Sequence, residues 1–203
     1  AYIEQRNRIF AEEKDNHSKD HLLNLSYKTT IGNFTGYSYL LEEDQGVSTA
    51  IDTYGVRFSG SAGDKFKFSY SAEYATQEKS DDNNADFDTD YLFLEGGLTL
   101  TGITAKLGYE VLGSDDSQYG FSTPLATLHK FNGWSDQFLN TPKEGLVDAY
   151  ASISGKLLGG SWTLTYHDFS ADEDTETAND FGDEINIAYA KKFGENYNTG
   201  IKY

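Results

Sequence analysis

Four groupings of residues have the types and spacing to do chemistry. The densest is DDNNADFDTD at 81–90, which sets Asp82, Asn84, Asp86, Asp88 and Asp90 at every second position. Oxygen ligands so spaced suit calcium, with Asp82, Asp86 and Asp88 as candidates. The central glycine and terminal glutamate of an EF-hand loop are missing, however, and a solvated acidic loop is the plainer reading. A second acidic run, DEDTET at 172–177, has still less ligand pattern. The four histidines, His17, His21, His129 and His167, show no paired metal-ligand spacing. With no cysteine, thiolate–zinc sites and cysteine nucleophiles are excluded. His167 would suit a Ser/His pair, yet no serine nucleophile motif accompanies it. No catalytic residue, metal or cofactor is therefore assigned, and the chain is not expected to be an enzyme.

The other two groupings concern passage rather than reaction. In alternating segments, Lys28, Arg57, Lys65, Lys67, Lys106, Lys156 and Lys192 fall at the polar positions, with Glu73, Glu95, Glu110, Asp148 and Glu184 opposing them. Cations along a narrow, low-dielectric passage lower the cost of moving an anion through it. The plain alternative is that they pair with carboxylates on neighbouring strands. Arg57, Lys67 and Lys106 are expected to be the most central, which predicts an anion-preferring pore. The last grouping lies in residues 113–145, where PLATLHKFNGW sets Leu125, Leu128, Phe131 and Trp134 at roughly helical spacing. That segment reads as a short helix capping a mouth. Alternatively it folds inward and constricts the passage, presenting His129, Lys130 and Trp134.

Strands must position these side chains. In KFKFSYSAEYA at 65–75, Phe66, Phe68, Tyr70, Ala72 and Tyr74 alternate with Lys65, Lys67, Ser69, Ser71 and Glu73. Period two over eleven residues is a strand with two different faces. Its length exceeds the ~5–6 residues of soluble strands and matches the ~9–11 of a tilted membrane-crossing one. Eleven such segments are expected, near 2–10, 21–29, 34–41, 50–59, 65–75, 90–100, 103–112, 146–157, 161–169, 183–193 and 197–203. The 203 residues are only 37% hydrophobic yet 15% aromatic, which suits strands with one apolar face. No apolar run reaches the length of a transmembrane helix, and a barrel needs none. Aromatic girdles are expected on the apolar face, from Tyr27, Phe58, Phe66 and Trp162 at one end and Tyr39, Tyr74, Tyr109 and Phe169 at the other.

Connections alternate between short Gly/Asn-rich turns and long segments at 11–20, 42–49, 76–89, 113–145 and 170–182. That is the connectivity of an up-and-down meander, and outer-membrane barrels have such short and long rims. The long segments hold 21 of the 33 acidic residues and five of the 16 basic ones, so the acidity belongs to one rim. The net charge of −17 argues against a nucleic-acid partner. The fold expected is an all-β, antiparallel up-and-down transmembrane β-barrel in the bacterial outer membrane, touching lipid bilayer and lipopolysaccharide.

Several stretches resemble the alginate export family of porin-type outer-membrane barrels. They include DHLLNLSY at 20–27, TYGVRFSG at 53–60, DFDTDYLFLEGGL at 86–98 and, most specifically, FSTPLATLHKFNGWSDQFLNTPKEGLVDAY at 121–150. The likeness runs along nearly the whole chain and is to the C-terminal half of the family. It implies passage of an anionic small-molecule or polysaccharide solute, such as a polyuronate, across the outer membrane. Eleven strands do not make the even number of a bacterial barrel, so both end strands are expected to pair with segments beyond this sequence. Two other functions fit the pattern. The barrel could sheath a periplasmic or outer-membrane partner protein, or the chain could be a soluble β-sandwich binding module.

Overall fold

The computed structural model describes residues 1–6, 16–42, 50–80, 86–126 and 132–203. The strands are β1 (Tyr2–Arg6), β2 (Asn16–Lys28), β3 (Asn33–Leu41), β4 (Ile51–Ala62), β5 (Lys67–Lys79), β6 (Asp88–Leu100), β7 (Ile103–Leu112), β8 (Ser114–Asp115), β9 (Tyr119–Gly120), β10 (Leu146–Leu157), β11 (Gly160–Ser170), β12 (Asp180–Phe193) and β13 (Tyr197–Lys202). Eleven of them form one antiparallel sheet in chain order, interrupted only by the small β8–β9 ribbon inside the 113–145 connection. This is the up-and-down meander expected. Among the described residues no second sheet stacks on it to make a sandwich, and no strand pairs β1 with β13.

Period two sorts the two faces as the alternation predicts. Leu23, Leu25, Val56, Phe68, Leu94, Leu107, Leu164, Ile185 and Ile187 stand exposed on one face. The opposite face is polar through the middle of the sheet and apolar at its long-connection end. There Leu41, Ile51, Ala75, Leu112, Leu146 and Phe169 are buried at the same parity as the polar residues. Residues from the 113–145 and 76–89 connections lie on them: Phe121 and Phe138 join Leu112, Leu146 and Phe169, while Phe87 and Tyr119 join Leu41 and Ile51. The core therefore sits between a folded-in connection and the sheet. Tyr119, stacked on Phe87 with ring centroids 3.6 Å apart, loses enough solvent that its phenol titrates above the usual tyrosine range.

Two expectations about the elements are corrected. Tyr39 and Phe169 are not on the apolar face. Tyr39 stacks on Tyr37 at 4.9 Å, and buried Phe169 packs on Phe138 at 4.7 Å. The described part of 113–145 contains no helix. Leu125 is exposed and Trp134 sits in a bend, while Leu128 and Phe131 lie outside the described residues.

Candidate functional site

Register places the expected polar residues on one wall. The hydrogen-bonded ladders run Thr35, Arg57, Glu73, Phe93, Glu110 and Asp148 directly opposite one another across β3, β4, β5, β6, β7 and β10. One strand-crossing row thus carries a cation, three carboxylates and an aromatic ring. Arg57 donates to Glu73 at 3.1 Å, and one row nearer the short turns Lys106 donates to Glu95 at 2.8 Å. These are the cross-strand ion pairs of the plainer reading.

Two tyrosines brace those pairs by the same device. Tyr37 on β3 lies over Gly55 on β4 and donates to Glu73 on β5 at 2.6 Å. Tyr150 on β10 lies over Gly108 on β7 and donates to Glu95 on β6 at 2.8 Å. At both glycines a Cβ would overlap the phenol ring, so the missing side chain lets the ring cross one strand to reach the next.

The 113–145 connection closes over this wall at three anchors. Buried Gln77 donates its amide to Thr53 Oγ1 and the Ser122 carbonyl, both at 2.9 Å, and accepts from the Ser122 N–H at 2.7 Å. Asn132 donates to Glu110 at 3.1 Å, while Tyr91 donates to the other Glu110 oxygen at 2.5 Å. Glu184 accepts from the Trp134 and Ser135 N–H groups and the Ser135 hydroxyl, at 2.5, 3.1 and 2.5 Å. The Lys202 ammonium sits 4.3 Å from the Trp134 ring centroid. On the neighbouring strands, buried Asp148 holds His167 Nδ1 at 2.9 Å from both of its oxygens.

The remaining expected residues are dispersed. Lys67 is the first residue of β5, opposite Thr99, and so stands at a strand end rather than at the centre. Lys65 lies in the turn before β5, Lys28 ends β2, and Lys156 donates to Ser161 at 2.6 Å beside the β10–β11 turn. His129 and Lys130 lie outside the described residues; Trp134 is placed against the wall as stated. Of the calcium candidates, Asp82 lies outside the described residues, Asp86 pairs with Lys79 at 3.2 Å, and the Asp88 backbone N–H donates to Asp115 Oδ2 at 3.3 Å. Among the described residues no group of three or more His, Asp or Glu side chains is arranged to hold a metal ion.

Tyr37, Gln77, Tyr91, Asn132 and Tyr150 were not anticipated. One signal for them was available. Leu112, Leu146 and Phe169 break the apolar–polar alternation at the long-connection ends of their strands, which marks where something apolar must dock.

No family model matches the chain, and no curated protein matches it. Among solved structures it is similar to Acinetobacter baumannii OccAB4, with a TM-score of 0.65 over 90% of this chain and 13% identity. The match covers 46% of that protein, so the chain spans about half the length of the solved relative. At this identity the likeness is one of fold.

Proposed function

We propose that this chain builds part of the wall of a porin-like passage in the bacterial outer membrane, narrowed by its 113–145 connection. The observation that carries the reading is the two-faced sheet. A long row of strands exposes Leu, Ile, Val and Phe on one face, far more apolar surface than a soluble monomer leaves uncovered. Its other face is lined by ion pairs and hydroxyls and holds a folded-in connection. Lipid on the first face and water on the second accounts for both. The fold likeness to OccAB4, an outer-membrane porin, supports the same reading.

The family resemblance would make the solute an anionic polysaccharide, drawn along free cations. Arg57 and Lys106 are instead engaged by Glu73 and Glu95. Around the docked connection Glu73, Glu95, Glu110, Asp148 and Glu184 outnumber Arg57, Lys106 and Lys202. We therefore take the solutes to be small, polar, and neutral or cationic. The test is fractionation of the full-length protein followed by planar-bilayer recording. It should partition with outer membranes, need detergent for extraction and form channels, and deletion of 121–139 should raise the single-channel conductance. Recovery in the soluble fraction without detergent would overturn the membrane reading. Unchanged conductance after the deletion would overturn the constriction.

A further inference from the structure

Between the wall and residues 132–134 lies a cavity of about 340 Å³. Tyr91, Phe93, Trp134 and Tyr150 line it together with planar polar groups from Glu95, Glu110, Asn132 and Arg57. We propose that this cavity is a saccharide-binding station that takes one neutral pyranoside unit, an assignment that rests on the passage reading above.

The chemistry of the lining separates a sugar from a charged ligand. The lining sets three carboxylates, Glu95, Glu110 and Asp148, against one guanidinium, and Arg57 already pairs with Glu73 at 3.1 Å. A carboxylate ligand would therefore meet more like charge than opposite charge, which disfavours it. A cation finds the carboxylates in use: Glu95 accepts from Lys106 and Tyr150, Glu110 accepts from Tyr91 and Asn132, and Asp148 holds His167 Nδ1.

Hydroxyl groups meet no such obstacle, because each both donates and accepts. The phenol oxygens of Tyr91 and Tyr150 donate to Glu110 and Glu95 and keep lone pairs for a sugar hydroxyl. Asn132 spends one amide hydrogen on Glu110 and keeps another. His167 is bound to Asp148 through Nδ1, which leaves Nε2 for the cavity. A pyranoside can add to this network without displacing any member of it. Its C–H faces pack on aromatic rings, which present large rigid apolar surface. The volume sits at the low end of the ~300–1,000 Å³ typical of small-molecule sites, which suits one ring rather than a chain.

Saturation-transfer NMR on the full-length protein in detergent tests this, with methyl α-D-glucopyranoside, glucuronate and putrescine as separate probes. Transfer to the glucopyranoside ring protons is expected to exceed that to either charged probe. Phe93→Leu, which keeps apolar volume but removes the ring, and Tyr150→Phe, which keeps the ring but removes the hydroxyl, should each weaken glucopyranoside binding about fivefold, the loss of one modest contact. Both variants must retain the strand-rich circular dichroism of the parent. Equal transfer from parent and correctly folded variants, or stronger transfer to glucuronate or putrescine, would overturn the station. Bilayer recording on the same preparation keeps the two readings apart. A conducting protein without glucopyranoside transfer removes the station alone, whereas variant-sensitive transfer in a protein that does not conduct supports the station and removes the passage.

Discussion

At the scale of single residues, two tyrosine–glycine pairs organise the polar wall. Tyr150 reaches Glu95 only because Gly108 has no side chain beneath the ring, and Tyr37 uses Gly55 in the same way. Gly108→Val is therefore expected to push the Tyr150 ring off the wall and release Glu95 to Lys106 alone. Overpacking of this kind costs about 1–3 kcal/mol, beyond any gain in β propensity. Gly96→Ala is the matched control, since a Cβ at Gly96 meets nothing within 4 Å. Urea unfolding in detergent should show a clear loss of stability for the first and nearly none for the second. Equal stability of the two variants would mean that the ring has room to move aside.

At the scale of elements, the 113–145 connection is held as a tertiary element rather than by helical propensity. Its first anchor is Gln77, 1% exposed, which satisfies both the N–H and the carbonyl of Ser122. Gln77→Leu leaves those two backbone groups, and Thr53 Oγ1, without their partner. Each orphaned buried group costs about 1–3 kcal/mol, which is enough to detach one end of the connection while the sheet persists. Limited proteolysis of membrane-embedded protein should then cut within 113–145 several times faster than in the parent. A cleavage rate equal to the parent's would show that the Glu184 and Phe138 contacts hold the connection without Gln77.

At the scale of the whole molecule, charge selectivity is the property that the ion pairing revises. Arg57 and Lys67 were expected to draw anions, but the first is matched by Glu73 and the second stands at the end of β5. The reconstituted full-length pore is expected to favour potassium over chloride. Arg57→Glu with Lys67→Glu should deepen that preference, whereas Glu110→Gln with Glu73→Gln should reduce it. Reversal potentials in a salt gradient read all three. The preference should fade as ionic strength rises, because the screening length is only ~8–10 Å near physiological salt. Anion preference in the parent pore would restore the cation-track reading.

Eleven strands, their order and their two faces were legible in the sequence because period two is a local property. Each residue's face follows from its neighbours at i±2, and Gly/Asn-rich turns mark where the chain reverses. Strand ends were less legible. β2 begins at Asn16 rather than near 21, β5 runs to Lys79 rather than 75, and β12 begins at Asp180 rather than 183. The first two extensions carry polar residues toward both sides, so the ladder continues where the alternation stops reporting it, while the third holds Phe181, packed on Phe138. What only the tertiary structure decided is who meets whom across strands. That Arg57 faces Glu73 depends on register, and a slip of two residues would leave the faces unchanged while changing every pair. Gln77 and Ser122, 45 residues apart, meet only because the connection folds back over the polar face. Local alternation carries no information about such long-range contacts, and the site is built entirely from them.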